Sequence, residues 1–571
     1  MSGEESYTAP AAGEYPRQNA PPPPLSKGGY DVNIAVYHSL VKFDEARKIS
    51  SRPDLDTATF VLSQFPKAES RVALIDSVTS SRVTYGQLSA SIRSLACGLH
   101  HALGVRKGDV VFVLSANSIL YPVICLAVLS VGAVITTANP VNTASEIAKQ
   151  VRDSGAKLAV SAPEEIHKLN PTGIPTILTT RPSSGDDVLS VEELIESCAD
   201  SSESLPNTEV TQSDTAAILY SSGTTGTSKG VVLTHSNLIS VIELLTLYVD
   251  ASSSENDVFL CFIPMFHIYG LVFFGLGLFC RGITIILMQR FNFQAMIDAI
   301  EKYKVNNIPA VPPVILGLVK SGGGSDLSSL RRIGSGAAPL GKDIEDAFRE
   351  KFPWVELRPG YGLTESTGAA TCIITDTDAK THPGSCGMLM PRFSAKIVDI
   401  ETGEGLPPMK EGELWLKSPT IMKGYLGNQE ATEATMDEEG WLKTGDLGYI
   451  DEDGFLYIVD RIKELIKHNG YQVAPAELET ILVCHTEILD AAVIPMEDEA
   501  AGQIPVACVV KASTSQLTED QVIQFVASQV APYKKVRGVK FINAIPRSLA
   551  GKILRKDLVS QFKQQQLFSK L

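Results

Sequence analysis

Apolar runs of strand length alternate with amphipathic runs of helix length through most of this 571-residue chain, and that alternation restricts the fold more than any other feature. Val110 to Leu114, Ala133 to Thr136, Leu158 to Ser161 and Thr176 to Thr179 read as buried strands, and Tyr85 to Leu103 and Ala144 to Gly155 as helices between them. Strand followed by covering helix predicts an α/β fold: a large N-terminal body of mainly parallel, helix-layered sheets spanning residues 31–460. From about residue 403 the pattern turns to short strands and turns, including Gly412-Glu-Leu-Trp-Leu-Lys417 and Asp453-Gly-Phe-Leu-Tyr-Ile-Val-Asp460, which predicts a small β-rich subdomain. Charges crowd Asp460 to Lys467, turn residues Asn469-Gly470 follow, and a helix opens at Ala474-Pro475. A boundary is expected at Asp460 to Lys463, with residues 461–568 forming a separate, mobile α+β C-terminal domain. Residues 1–30, polar and carrying Pro21 to Pro24, read as a disordered extension without a secretory signal.

Composition excludes several classes. A length of 571 residues requires more than one core. A net charge of -15 argues against nucleic-acid binding, which leaves a basic footprint. Nine scattered cysteines without a Cys-x-x-Cys pair indicate neither a zinc site nor a disulfide framework, and fit a reducing compartment. The uncharged stretch Ile119 to Asn139 and the apolar stretch Val258 to Cys280, with its internal Pro264 and His267, mix breakers with strand-like and helix-like pieces, so both are expected in the core rather than in a bilayer.

One loop carries the chemistry of phosphate binding. Tyr220-Ser-Ser-Gly-Thr-Thr-Gly-Thr-Ser-Lys-Gly230 offers backbone N–H groups, the hydroxyls of Ser221, Ser222, Thr224 and Thr225, and the charge of Lys229. Gly223, Gly226 and Gly230 allow close approach of the backbone to a ligand. Composition alone would suggest a linker, but apolar strands flank the run on both sides. Its spacing also fails the Walker A pattern, because Gly230 rather than a hydroxyl residue follows the lysine.

Four further motifs follow in order: Gly334-Ser-Gly-Ala-Ala-Pro339, Gly360-Tyr-Gly-Leu-Thr-Glu-Ser366, Thr444-Gly-Asp446 and Pro546-Arg-Ser-Leu-Ala-Gly-Lys-Ile-Leu-Arg555. With these, the sequence from about Asn33 onward resembles the adenylate-forming superfamily, and most of all the plant 4-coumarate-CoA ligase group with its peroxisomal relatives. The resemblance implies an AMP-forming acid–thiol ligase that uses ATP, Mg2+ and CoA. A carboxylate attacks the α-phosphate to give an acyl-AMP and pyrophosphate, and the CoA thiol then displaces AMP. Such catalysis is mostly positioning and electrostatic stabilisation.

The resemblance also assigns roles. Ser221, Ser222, Gly223, Thr224, Thr225 and Lys229 would hold the β and γ phosphates. Ala337, Gly360 and Tyr361 would form the adenine slot, Thr364 would meet the α-phosphate and Glu365 would bind magnesium. Asp446 and Arg461 would hold the ribose, and Lys552 would bridge the carboxylate and α-phosphate. His267 would face the substrate carboxylate, with Tyr269, Phe273, Gly336, Gly362, Gly368 and Ala369 around the acyl group. Lys463 would act as hinge, Lys467 and Gln472 would meet AMP after the C-terminal domain moves, and Arg290, Asn469 and Gly470 would serve CoA.

Departures from the family pattern bear on the substrate. Phe273 stands where a small hydroxyl residue is common, and Thr367-Gly368-Ala369 where Gly-Pro-Val is common. Together they would reshape a hydroxycinnamate pocket toward a longer, more apolar acid, so a hydroxycinnamate-type acid and a medium or long fatty or oxylipin acid both stand as expected substrates. Asn469 replaces a lysine that contacts CoA, Arg290 replaces a lysine with retention of charge, and Pro359 replaces a glutamine beside the adenine slot. The terminal Ser569-Lys570-Leu571 matches the address read by a peroxisomal import receptor. A luciferase, a carrier-loading enzyme and a non-catalytic acyl-binding protein are the alternatives.

Overall fold

In the computed structural model the described residues are 26–41, 52–182, 188–199, 209–221, 228–250, 257–321, 325–336, 338, 340–498, 501–548 and 551–568. Two helix-covered sheets make up most of the body. The first runs in the spatial order Gly424–Tyr425, Lys229–Thr234, Thr215–Ser221, Val134–Thr137, Val110–Leu114, Leu158–Ser161 and Thr176–Leu178. Its strands are parallel from Thr215–Ser221 to the far edge and antiparallel at the other end. The second has a parallel centre built from Glu356–Leu363, Arg332–Ser335, Asn307–Ala310, Val258–Cys261, Thr284–Leu287 and Val72–Asp76, with antiparallel strands at both ends.

Local sequence sets these elements. Helix Tyr85–Cys97 begins at a capping box in which the Thr84 hydroxyl accepts from the Gln87 N–H at 3.2 Å and the Gln87 side chain accepts from the Thr84 N–H at 2.9 Å. It does not run on unchanged to Leu103, because Gly98–Ala102 widens into a π turn where Gly98 packs on Leu194. Helix Leu120–Ser130, with residues 121–129 all buried, and strand Val134–Thr137 account for one uncharged stretch. The other lies equally deep: Leu271 to Cys280 is buried throughout. Among the described residues no helix is long and apolar enough to cross a membrane.

A third, antiparallel sheet differs from expectation at its edge. It joins Ser394–Val398, Gly412–Lys417, Leu442–Ile450 and Leu456–Arg461 to two strands from the start of the chain, Tyr30–Asp31 and Val36–His38. Residues 26–30 are therefore ordered rather than part of a disordered extension, and the sheet begins before residue 403. The burial of Tyr37 explains the attachment: its ring lies in the main core and its hydroxyl donates to the Leu406 carbonyl at 3.1 Å.

After the 3-10 turn Ile462–Glu464 the chain builds a sheet of Tyr471–Val473, Ile466–His468, Gly502–Lys511, Ile488–Asp498 and Gly538–Phe541. Two hydrophobic clusters of its own support it, one containing Leu478, Val493 and Val522, the other Ile494, Leu558 and Phe562. This C-terminal unit rests on two body helices. Lys320 Nζ donates to the Ile488 carbonyl at 2.6 Å, and the Cys484 thiol donates to Asp343 Oδ2 at 3.3 Å.

Candidate active site

Strand Thr215–Ser221 and strand Lys229–Thr234 pair antiparallel with Ser221 opposite Lys229, so the phosphate-type loop closes a hairpin. Lys229 is thus the first residue of a strand, not a loop residue. Ser222, Gly223, Thr224 and Thr225 lie outside the described residues, as does Ala337.

The hairpin meets a turn carrying a carboxylate. Strands Glu356–Leu363 and Gly368–Cys372 are joined through Thr364 to Thr367, with Leu363 opposite Gly368 and Gly362 opposite Ala369. A Cβ on Gly362 would stand 2.1 Å from the Gly368 carbonyl oxygen, so only glycine permits this close return. At the turn, Glu365 Oε1 accepts from the Ser221 hydroxyl at 3.1 Å and from the Tyr425 hydroxyl at 3.0 Å. Among the described residues no hydrogen bond reaches Oε2. A carboxylate oxygen without a donor among the described residues suits a hard divalent ion such as magnesium. Thr364, one residue before, is buried.

Next to this carboxylate lies a network of ring, carboxylate and guanidinium. The Tyr361 hydroxyl donates to Asp446 Oδ2 at 2.6 Å, and Arg461 Nε lies 3.2 Å from Asp446 Oδ1. Asp446 and Arg461 face each other across paired strands Leu442–Ile450 and Leu456–Arg461. Burial raises the Asp446 carboxyl above the ordinary carboxylate range, against the opposing pull of Arg461. Burial works most strongly against the Arg461 charge, but Asp446, Tyr361, Glu464 and Glu365 together outweigh it and keep the guanidinium protonated.

Lys552 enters the same space from the C-terminal unit. It is lowered by burial first and by Arg461 second, with Asp446 and Glu365 acting in the opposite sense. His267 lies within its field: burial and then Lys552 push the imidazole down to about 4, so the ring is neutral near pH 7. Its Nδ1 faces the Tyr269 N–H at 3.4 Å, at the cap of the short helix Ile268–Gly270. Five residues separated by up to 285 positions, His267, Glu365, Asp446, Arg461 and Lys552, thus share one electrostatic environment.

Tyr269 borders an aromatic cluster. Its ring centroid lies 5.8 Å from that of Phe273, edge on, and Phe273 packs against Phe259 and Phe274. A Cβ on Gly334 would stand 3.7 Å from the Tyr269 hydroxyl, and one on Gly336 the same distance from the Gly360 carbonyl oxygen. Gly368 faces Val241 of the helix His235–Asp250. Tyr269 and Phe273 thus share one aromatic cluster beside Gly334, Gly336 lies against strand Glu356–Leu363, and Gly362, Gly368 and Ala369 lie on the β-hairpin. Pro359 uses its carbonyl to accept from the Ile373 N–H at 3.0 Å.

Other residues singled out by sequence lie elsewhere. Lys467, Asn469, Gly470 and Gln472 occupy the exposed hairpin of Ile466–His468 and Tyr471–Val473, and no hydrogen bond or ion pair among the described residues ties them to the Lys552 group. Arg290 is exposed in a loop after Thr284–Leu287, and Lys463 is exposed in the 3-10 turn between body and C-terminal sheet. Sequence reasoning missed Tyr425, which touches Glu365, and the Asp490–Arg547 pair behind Lys552. Only a glycine–aromatic pair, Gly424-Tyr425, marked the first, and nothing local marks the second because its partners are 57 residues apart.

The AMP-binding enzyme family matches residues 63–426, and the AMP-binding enzyme C-terminal domain matches residues 477–552. A probable CoA ligase of Humulus lupulus is 45% identical over 546 residues, 93% of this chain and 97% of that protein. A peroxisomal OPC-8:0-CoA ligase of Arabidopsis thaliana is 46% identical over 515 residues, covering 89% of this chain and 93% of its own. Among solved structures, ATP-bound MatB from Rhodopseudomonas palustris superposes with a TM-score of 0.79 at 28% identity, across 89% of this chain and 99% of that one. The chain belongs to the AMP-binding enzyme family, within the acid–thiol ligase class of adenylate-forming enzymes.

Proposed function

We propose that this ligase activates a medium to long, largely apolar carboxylic acid of fatty or oxylipin type as its acyl-AMP and passes the acyl group to CoA, inside the peroxisome. The observation that carries the two-step chemistry is the convergence of the half-buried Lys552 ammonium with the charges of Glu365, Asp446 and Arg461 and with His267. Ser221 and Lys229, with the loop residues between them, bind the triphosphate. Glu365 would hold the magnesium ion, which would screen phosphate charge. Asp446 and Arg461 hold the ribose, and Tyr361 presents its ring to adenine while its hydroxyl orders Asp446. Lys552 then brings acid and α-phosphate together, and neutral His267 faces the carboxylate without adding a competing charge.

The second step needs a different face of the C-terminal domain. Rotation about Lys463 withdraws Lys552 and delivers the hairpin bearing Lys467 and Gln472, while Arg290, Asn469 and Gly470 meet CoA. The domain division at 460/461 is part of this reading and is supported by the separate cores on either side. For the acid, the aromatic pair Tyr269 and Phe273 and the small residues Gly336 and Gly368 favour a flexible, apolar acyl chain. The name of the Arabidopsis relative supports both the acyl class and the compartment. Ser569-Lys570-Leu571, outside the described residues, supplies the import signal.

The test is thioester formation with purified protein across hydroxycinnamates, medium and long fatty acids and oxylipin acids. The highest kcat/KM is expected for a fatty or oxylipin acid. A clear preference for hydroxycinnamates overturns the acyl assignment, and absence of acyl-dependent pyrophosphate release overturns the reaction.

A further inference from the structure

Strand Gly424–Tyr425 is two residues long, yet it brings one side chain against both Glu365 and Lys229. Its partner is Lys229–Thr234, with Tyr425 opposite Val231. The Tyr425 hydroxyl donates to Glu365 Oε1 at 3.0 Å, and the Lys229 ammonium lies 4.8 Å from the centre of the Tyr425 ring. The segment before it grips the same turn from behind: the Met422 N–H donates to the Glu365 carbonyl at 2.9 Å, and the Thr367 hydroxyl donates to the Thr420 carbonyl at 2.5 Å.

Two donors on one carboxylate oxygen have a defined consequence. With Ser221 and Tyr425 both donating to Oε1, the carboxylate is held in one orientation, and among the described residues Oε2 is the oxygen left without a donor. A hard cation then meets a single, pre-oriented oxygen, and such outer contacts tune metal affinity by about 10–100-fold. The ring acts separately. A cation over a tyrosine face is attracted by the π-system, which restricts Lys229 to the hairpin mouth rather than to solvent.

We propose that Tyr425 is a positioning residue with two separable functions: its hydroxyl sets the metal-binding geometry of Glu365, and its ring holds Lys229 toward the triphosphate. This rests on the reading of Glu365 as the magnesium carboxylate and of Lys229 as a phosphate ligand. Neither function requires Tyr425 to touch a reacting atom.

The two functions are separated by Tyr425→Phe, which removes the hydroxyl alone, and Tyr425→Leu, which removes hydroxyl and ring. Binding of a non-hydrolysable ATP analogue is measured by calorimetry with and without Mg2+, on full-length protein whose melting temperature is recorded in parallel. For Tyr425→Phe the enhancement of analogue binding by Mg2+ is expected to shrink about tenfold, while metal-free binding stays at the wild-type value. For Tyr425→Leu metal-free binding also weakens, about threefold. In a Glu365→Gln background, Tyr425→Phe is expected to change the Mg2+ response no further, because both act through one carboxylate.

Wild-type Mg2+ enhancement in Tyr425→Phe overturns the hydroxyl's role, and equal metal-free affinities in the Phe and Leu variants overturn the ring's. An additive loss in the double variant shows general damage and also overturns the proposal. A wild-type protein that forms acyl-AMP without any divalent ion removes the reading of Glu365 itself. That outcome is distinct from failure at Tyr425.

Discussion

Arg547 clasps Asp490 with two nitrogens, Nη2 to Oδ1 at 2.7 Å and Nε to Oδ2 at 3.3 Å, and turns its third, Nη1, to the Gly551 carbonyl at 3.0 Å. That carbonyl precedes Lys552. The turn is closed by the Ser548 N–H donating to the Lys552 carbonyl at 2.8 Å and by the Lys552 N–H donating to the Ser548 hydroxyl at 3.2 Å. Gly551 has φ of 82° and its Cβ position lies 3.2 Å from Val311 of the body, so the turn sits close against the body. Asp490 therefore acts on Lys552 at one remove, through the guanidinium that shapes its turn.

Asp490→Asn is expected to slow acyl-AMP formation about tenfold, the equivalent of ~1.4 kcal/mol, by loosening the Lys552 turn. Thioester formation from supplied acyl-AMP should change far less. Single-turnover measurement of each half-reaction separates the two, and equal slowing of both contradicts a role through Lys552.

His267 and His235 make a prediction about pH. Burial lowers both imidazoles to about 4, below the unfolded value of 6.5. Since the unfolded chain binds these protons more readily, the stability they contribute is fully present above pH 6.5 and is lost as pH falls toward 4. The difference between 6.5 and about 4 corresponds to ~3 kcal/mol per group. Urea unfolding from pH 4 to 7 should show a shallower pH dependence in His267→Gln than in wild type. Identical slopes contradict a neutral, buried ring.

Phe273 is 8% exposed and packs among Tyr269, Phe259 and Phe274. Phe273→Ala should cost ~3–5 kcal/mol of stability by opening a cavity. It should also shift kcat/KM toward bulkier acids, a displacement readable from the acid panel as a change in rank rather than a uniform loss. Loss of stability with an unchanged acid ranking removes Phe273 from the acyl site.

Much of the body was legible because its period is strong. Val110 to Leu114, Leu158 to Ser161 and Thr215 to Tyr220 could only be buried strands, and all three are parallel members of one sheet. The attachment of Tyr30–Asp31 and Val36–His38 to strand Ser394–Val398 was not legible, because two- and three-residue strands carry no period and their pairing spans more than 350 positions. The same limit applies to the site. Motif residues such as Glu365 and Asp446 announce themselves by their neighbours in sequence, whereas Tyr425 and Asp490 matter only through contacts made in space.

The central claim is that Lys552 serves the first chemical step and leaves for the second. The direct measurement is Lys552→Ala, with acyl-dependent pyrophosphate release and conversion of preformed acyl-AMP to thioester assayed on the same preparation. Pyrophosphate release should fall at least a hundredfold, as expected for a lost electrostatic contact to the reacting phosphate, while thioester formation retains most of its rate. Equal loss in both half-reactions, or wild-type pyrophosphate release, contradicts it.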